Sequence, residues 1–199
     1  MTPPRTTPPS PIPPLNVAIT GGIGAGKSEA LRAFARHGAA TASADEIVHR
    51  LYADPEVQRL LVERWGDDVL AGGEVDRKRI GEIVFADRDE LAWLESLLHP
   101  RVVAEQARWH SEQTAPLVVV EIPLLYETGG EERFDAVVVI TAPEDTRRGR
   151  TDVADVTERQ GRLLSDEEKA ERADFVYVND GSLEELDAFV RSVVQRLAP

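Results

Sequence analysis

Residues 21–28 read Gly21-Gly22-Ile23-Gly24-Ala25-Gly26-Lys27-Ser28, which is the G-x-x-x-x-G-K-[ST] pattern of a phosphate-binding loop. The apolar run before it, Val17–Thr20, predicts a buried strand, and Glu29–Arg36 has the spacing of an amphipathic helix. Glycines let the backbone bring its N–H groups close to phosphate oxygens, and a helix N-terminus adds a partial positive charge there. The pattern therefore predicts a strand–loop–helix unit that binds a nucleoside triphosphate.

Two residues of this loop carry side chains suited to binding phosphate groups and their Mg²⁺ ion. We expect Lys27 to reach the β- and γ-phosphates and the Ser28 hydroxyl to ligate Mg²⁺. The other six residues, Gly21 to Gly26, would bind phosphate through their backbone. The alternative is a glycine-rich turn without a ligand, and the strand and helix on either side disfavour it.

Composition limits the class of protein. The chain has 199 residues, no cysteine and a net charge of −13. Its length suits one core with room for an inserted lobe. The acidic balance argues against a nucleic-acid partner but not against a small anionic substrate, which needs only a few local cations. Neither a signal peptide nor an apolar stretch of membrane-spanning length is evident, so we expect a cytoplasmic enzyme without a membrane partner.

The N-terminal segment differs from the rest of the chain. Residues 1–14 contain seven of the thirteen prolines and few residues that could be buried. This composition predicts a disordered or polyproline-like tail. A docking role for its PxxP elements is possible on the pattern, but a passive extension is the preferred interpretation.

The order of apolar segments predicts an α/β fold. Short apolar strands alternate with helical patterns, which favours a mostly parallel sheet with helices on both faces. The candidate strands are Val17–Thr20, a weak Ala39–Ala42, Leu117–Ile122, Val137–Thr141 and Phe175–Val178. A long stretch at about 44–112 has helical spacing and no strand signal, which suggests that a helical lobe (about 54–112) is inserted into a single domain spanning 15–199. The highly charged stretch 154–173 is typical of a lid over a phosphate site (about 150–172).

Two acidic residues follow predicted strands at the edge of the sheet where ligands bind. Asp45 comes just after the second strand and could accept a proton from a substrate hydroxyl or hold a water on Mg²⁺. The alternative, that Asp45 or Ser43 caps the following helix, is about equally consistent with the position. Glu121 ends the third strand, as the Walker B acid that orders Mg²⁺ water does. Glu127 is less informative and fits a helix cap.

Basic residues are concentrated near the predicted lid. A guanidinium brought in by a lid can neutralise charge on a transferring phosphoryl group, although most charged runs are solvated helix faces. We therefore expect at most one or two of these arginines to act: Arg147, Arg148, Arg150, Arg159 and Arg162. His49 and His99 lie in helical stretches, where packing or hydrogen bonding is more common than metal binding.

Several motifs outside the phosphate loop narrow the class. The chain lacks the N-K-x-D run of small GTPases, and its compact length favours a small-molecule kinase. In order along residues 17–183, the sequence resembles the dephospho-CoA kinase family. The matching segments are Ile19–Ser28, Ala44–His49, Val75–Arg77, Ile83–Phe85, Leu94–Pro100, Glu121–Glu127, Ala173–Asp174 and Asn179–Leu183. The Leu98-His99-Pro100 and Ile122-Pro123-Leu124-Leu125-Tyr126-Glu127 elements are far more discriminating than the loop.

The resemblance implies an activity and roles for single residues. Members of this family phosphorylate the 3′-hydroxyl of dephospho-CoA with ATP and Mg²⁺, the last step of coenzyme A biosynthesis. By position, Asp45 would be the catalytic base and Arg159 the lid arginine on the transferred phosphate. Arg77 and His99 would help form the CoA-side pocket, and Asn179 would lie beside the adenine. We expect a monomer or small homo-oligomer. The alternatives are another small-molecule or nucleoside monophosphate kinase, and a non-catalytic ATP-binding module.

Four positions depart from the family pattern. Ser43 replaces the first acid of a D-x-D pair, and Glu121 replaces the usual Asp. Glu29 replaces the usual Thr and places a negative charge next to the α-phosphate region, unless its side chain points outward along the helix. Leu163 replaces a glutamine, and 151–156 lack a further lid arginine. The lid chemistry is thus the part of the resemblance with the fewest matching residues.

Overall fold

A parallel sheet of five strands forms the centre of the molecule in the computed structural model, which describes residues 13–148 and 164–198. Five of the strands form this sheet, and β3 and β4 form a separate short hairpin. In chain order the strands are β1 (Leu15–Thr20), β2 (Ala40–Ser43), β3 (Leu70–Ala71), β4 (Glu74–Val75), β5 (Leu117–Glu121), β6 (Ala136–Thr141) and β7 (Phe175–Val178). The order across the sheet is β2-β5-β1-β6-β7. The α/β parallel-sheet prediction is confirmed, and each of the five predicted sheet strands lies within two residues of its observed bounds.

Helices connect these strands on both faces of the sheet. Within the described residues they are α1 (Lys27–Arg36), α2 (Ala44–Leu51), α3 (Pro55–Trp65), α4 (Arg77–Ala86), α5 (Arg88–Ser111), α6 (Glu144–Arg148), α7 (Asp166–Glu171) and α8 (Leu183–Leu197), with 3₁₀ turns at Asp67–Val69 and Glu131–Arg133. Ser182 opens α8 with a capping box: its side chain accepts from the Glu185 N–H, and Glu185 accepts from the Ser182 N–H. No described helix is both long and apolar enough to cross a membrane.

Strand register brings the chemically important residues to one edge. Ile19 of β1 and Ser43 of β2 both pair with Glu121 of β5. In a parallel sheet the carboxyl ends of the strands share an edge, and the phosphate loop follows β1 at that edge. The register therefore places residues far apart in sequence within one site.

Three apolar clusters hold the fold. One packs α1 and α8 on one face of the sheet around Phe34, Ile140 and Leu186. A second covers the other face, with Val120, Leu125 and Val139 among its buried members. A third lies among α2–α5, and its buried members all fall within 47–98. The stretch between β2 and β5 thus has a core of its own, although the bounds of a functional lobe stay a prediction.

Part of the sequence interpretation is wrong in this stretch. We expected helix without strands between β2 and β5, but β3 and β4 form an antiparallel hairpin in which Leu70 pairs with Val75. Gly72 and Gly73 make the turn with φ of 62° and 88°. Each strand has two residues, too few to show an alternating pattern. The predicted tail falls almost wholly, and the predicted lid largely, outside the described residues.

Candidate active site

The phosphate loop is shaped by close backbone approaches. Gly21 has φ of 140°, and a Cβ there would lie 1.9 Å from the carbonyl oxygen of Ile140. Gly26 has φ of 99° at the N-terminus of α1, a conformation that side chains other than that of glycine rarely tolerate. The Asn179 side chain donates to the Ala25 carbonyl over 2.8 Å and is only 5% exposed. The loop is thus tied to the segment after β7.

Lys27 is buried at the start of α1. Its ammonium donates to the Gly22 carbonyl over 2.9 Å, inside the loop. Burial lowers the pKa of Lys27 because the charged form loses hydration, and the nearby ammonium of Lys169 lowers it further. Attraction to Glu121 and Asp45 opposes these effects. A cation is therefore held in a poorly hydrated pocket where an anion would stabilise it.

Ser28 and Glu121 form the next part of the site. The Ser28 hydroxyl donates to Glu121 Oε2 over 3.2 Å, and Glu121 is 8% exposed. Burial raises the pKa of Glu121, while Lys27 and the Ser28 hydrogen bond act in the opposite direction. A hydroxyl beside a buried carboxylate is the hard oxygen donor set that Mg²⁺ prefers. Among the described residues, no group of three or more His, Cys, Asp or Glu could hold a metal.

Asp45 lies in the first turn of α2, exposed to solvent. Its charge acts on both Lys27 and Glu121, so the three side chains share one electrostatic site. The competing helix-cap interpretation is not supported, because Ser43 occupies the cap position without a side-chain cap bond and Asp45 lies inside the helix. An exposed carboxylate at the open edge of the sheet is accessible to a second substrate.

Two charged pairs lie on the other side of the loop, and the sequence interpretation did not single out Asp166 or Lys169. Arg147 and Asp166 form an ion pair of 3.3 Å, and a Cβ on Gly22 would lie 2.8 Å from both side chains. Lys169 and Glu127 form a second pair of 2.9 Å, almost fully buried. Glu127, which we expected at most to cap a helix, also accepts the Leu164 N–H. The sequence predicts a lid for the charged run 154–173, and its composition holds no signal for a buried lysine.

A cavity of about 820 Å³ opens beside Gly22 and Ile23. Its other walls are the carboxyl end of β6, with Thr141 and Ala142, and the helix α7. The exposed side chains of Val176 and Val178 on β7 contribute an apolar surface. A mixed apolar and charged cavity next to a phosphate loop has the properties of a nucleoside site.

Other predicted site residues lie apart from this cluster. Arg77 and His99 are exposed on α4 and α5, and the charge of Arg77 acts on the half-buried Tyr52, whose pKa burial raises. Arg150, Arg159, Arg162 and Leu163 fall outside the described residues. His49 is exposed on α2. The structure thus brings Lys27, Ser28, Asp45 and Glu121 together, whereas Arg77 and His99 have no described contact with them.

Glu29 points away from the loop. Its carboxylate pairs with Arg32 over 2.8 Å and with Arg36 over 3.2 Å along α1. Hydrogen bonds from these guanidinium groups lower the pKa of Glu29, and that of Arg32 has the largest effect. Of the two possibilities left open by the sequence, the outward orientation is the one observed.

Comparisons with known proteins show the family of this chain. The dephospho-CoA kinase family model matches residues 15–185. A dephospho-CoA kinase of Protochlamydia amoebophila is 37% identical over 193 residues, covering 91% of this chain and 95% of its own. The crystal structure of TT1252 from Thermus thermophilus has a TM-score of 0.81 and 32% identity, covering 94% of this chain and 99% of that one. A dephospho-CoA kinase from Campylobacter jejuni has a TM-score of 0.68 and 27% identity, with coverages of 92% and 96%. The chain belongs to the dephospho-CoA kinase family.

Proposed function

We propose that this protein transfers the γ-phosphoryl group of ATP to the 3′-hydroxyl of dephospho-CoA, giving coenzyme A and ADP. The observation that carries the proposal is the convergence of Lys27, Ser28, Glu121 and Asp45 at one edge of the sheet, beside the phosphate loop. Family membership supplies the identity of the acceptor.

Positioning and charge neutralisation supply most of the catalysis in phosphoryl transfer. Residues Gly21–Ser28 would hold the triphosphate through backbone N–H groups, with Lys27 releasing the Gly22 carbonyl to face the β- and γ-phosphates. Asp45 would accept a hydrogen bond from the 3′-hydroxyl and align it for in-line attack. Because a carboxylate is a much weaker base than an alkoxide, Asp45 would take the proton late, as the new P–O bond forms.

Ser28 and Glu121 are the residues that would hold Mg²⁺, Ser28 directly and Glu121 through water. Bound there, the ion would offset the negative charge of the phosphate oxygens. Glu121 keeps the Ser28 hydroxyl oriented by their hydrogen bond. The additional methylene of Glu121, compared with the family's usual Asp, extends its carboxylate towards this hydroxyl.

The cavity beside Gly22 would take the adenosine of ATP. Asn179 acts there by fixing the Ala25 carbonyl and thereby the shape of the loop. On the acceptor side, Arg77 and His99 would contact dephospho-CoA after it binds against the α2–α5 stretch, and Arg159 would contact the transferred phosphate. A cytoplasmic location and a monomeric or small oligomeric state stay predictions.

The decisive experiment measures ADP release with dephospho-CoA, nucleoside monophosphates and shikimate as separate acceptors. We expect turnover with dephospho-CoA alone, and a loss of at least about a hundredfold in kcat for Asp45→Asn and for Lys27→Ala. Asp45→Asn should bind ATP with nearly unchanged affinity, because Asp45 is exposed at the acceptor side of the loop.

Two outcomes would overturn the proposal. Turnover with another acceptor but not with dephospho-CoA would assign the protein to a different small-molecule kinase activity. ATP binding without acceptor-stimulated ADP release would indicate a non-catalytic binding module. The departures from the family pattern at Ser43, Glu29 and Leu163 would then mark a site that has lost catalysis. An Asp45→Asn rate close to that of the unaltered protein would remove Asp45 from the reaction.

A further inference from the structure

Lys169 is a buried cation without an assigned role in the proposed reaction. It lies on α7, is 1% exposed and donates to Glu127 Oε1 over 2.9 Å. Burying an ammonium group is unfavourable unless anions or hydrogen-bond acceptors replace its lost hydration. The position of this residue therefore needs an explanation beyond a solvated helix face.

The geometry of α7 directs Lys169 towards the phosphate loop. Asp166, one turn earlier on the same side of the helix, lies against Gly22. Long side chains on a helix lean towards its N-terminus, so Lys169 extends back in the direction of Asp166 and the loop. Lys169 also lines the cavity beside Gly22 and Ile23.

A second observation relates Lys169 to Lys27 through Gly22. Lys169 and Gly22 line the same cavity, and the Lys27 ammonium donates to the Gly22 carbonyl over 2.9 Å. Two like charges close together in a poorly hydrated region destabilise the empty protein. A polyanion bound between them would turn this repulsion into attraction for both.

The ammonium group of Lys169 has N–H donors available for a ligand. An ammonium group has three N–H donors, and within the described residues its partner is Glu127. Glu127 is itself fixed, because Oε1 also accepts the Leu164 N–H, while its buried Oε2 meets no partner in the described part of the chain. Glu127 thus holds Lys169 from one side and leaves the other N–H groups for a ligand.

We propose that Lys169 is a second phosphate-binding lysine, positioned by Glu127, that donates to the triphosphate from the side of the loop opposite Asp45. The arrangement parallels a general device in which a carboxylate orients a lysine towards nucleotide phosphates. Lys169 would contact substrate and act directly, whereas Glu127 would be a positioning residue. The inference rests on the proposed function only in taking the ligand to be ATP.

The test compares nucleotides that share a base but differ in charge. Affinities of ATP and AMP, each with Mg²⁺, are measured by displacement of a fluorescent ATP analogue from the unaltered protein, Lys169→Met and Glu127→Gln/Lys169→Met. We expect Lys169→Met to lose at least about tenfold in ATP affinity, with AMP affinity changed by less than about twofold. Arg191→Met, which removes an exposed cation paired with Asp187, controls for net charge and should match the unaltered protein.

The double variant separates phosphate binding from a structural role. The double variant leaves neither member of the buried pair as an unpaired charge, so it should recover the thermal stability that Lys169→Met loses. Its nucleotide affinities can therefore be measured even if the single variant does not fold. We expect its ATP affinity to stay low. Recovery of ATP affinity together with stability, equal losses for ATP and AMP, or unchanged ATP affinity in Lys169→Met would each overturn the proposal. Because no acceptor is present, these outcomes do not depend on turnover of dephospho-CoA.

Discussion

Lys27 and Glu121 are buried charges whose folded-state pKa values move in opposite directions. Loss of hydration lowers the pKa of Lys27 and raises that of Glu121, and their mutual attraction offsets only part of each change. The empty site therefore stores unfavourable electrostatic free energy that bound phosphates and Mg²⁺ would relieve. This is the expected trade-off of a functional site, where binding capacity is maintained against stability.

Glu121→Gln should separate stability from activity. The folded-state pKa of Glu121 lies above its unfolded value of about 4.5, so its ionisation destabilises the native state as pH rises through that interval. Gln stays neutral, and we expect the empty variant to unfold at higher urea concentration than the unaltered protein at pH 7, with the gain disappearing below about pH 4.5. The kcat at low Mg²⁺ should fall by about 10–100-fold. A variant less stable at pH 7 would show that ionised Glu121 is favourable in the empty site.

Single residues also show why sequence patterns identify some site positions and not others. Lys27, Ser28 and Asp45 follow from motif and strand position because phosphate chemistry fixes their spacing. Glu127 and Lys169 are 42 residues apart, and either one alone fits a solvated helix surface. Only the folded contact between them reveals a buried pair.

At the scale of elements, α1 is held at both ends. Its N-terminus is the phosphate loop, and its C-terminal residues Arg36 and His37 bind Asp187 of α8 over 3.0 Å and 2.9 Å. Arg191 joins the same carboxylate from α8. These contacts of Arg36, His37 and Arg191 with Asp187 fix the far end of the helix that carries Lys27.

Asp187→Asn should weaken this attachment in a pH-dependent way. Hydrogen bonds from His37 and Arg36 lower the folded-state pKa of Asp187 below its ordinary 3.8. The stabilisation is therefore fully present above that value and lost as pH falls through the lower folded-state pKa. We expect a lower Tm for Asp187→Asn at pH 7, converging with the unaltered protein in strongly acidic buffer. Glu184→Gln, an exposed change on the same helix, is the matched control.

Nucleotide affinity provides a further check on Asp187→Asn. The contacts of Asp187 lie at the end of α1 opposite the loop, so ATP affinity should change by less than about twofold if the loop keeps its shape. A large loss of affinity with unchanged Tm would contradict the view that Asp187 stabilises the element rather than the site.

Elements differ in how well the sequence predicts them. β5 and β6 are continuous apolar β-branched runs because the sheet is covered on both faces. The edge strand β7 was also predicted with its observed bounds, Phe175–Val178. The hairpin β3–β4 was not predicted, because strands of two residues are too short to show an alternating pattern of apolar and polar residues.

At the scale of the whole molecule, the described residues form apolar clusters on the sheet and a separate cluster among α2–α5. Glu121 ends strand β5, and Lys27 and Ser28 begin helix α1, which follows β1, whereas Arg77 and His99 belong to the α2–α5 stretch. A ligand that contacts only the sheet edge would stabilise the sheet directly. A ligand that contacts both the sheet edge and the α2–α5 stretch would stabilise the two together.

Ligand binding should therefore raise stability by an amount set by mass action. At 100 times its dissociation constant, ATP with Mg²⁺ adds about 2.7 kcal/mol to the free energy of unfolding, and at 1,000 times about 4.1 kcal/mol. For a chain of this size, the first value corresponds to a rise in Tm of roughly 5–11 °C. Differential scanning fluorimetry across an ATP series at fixed excess Mg²⁺ measures it.

The controls for this series test the site as a unit. Lys27→Ala should show almost no ATP-dependent rise, because it loses the ammonium that lies inside the loop and that would face the phosphates. Dephospho-CoA added to saturating ATP analogue should raise Tm further, since it would join the sheet edge to the α2–α5 stretch. A Tm independent of ATP concentration in the unaltered protein would contradict triphosphate binding at the loop. A rise with ATP but none with dephospho-CoA would instead remove the α2–α5 stretch from the acceptor site.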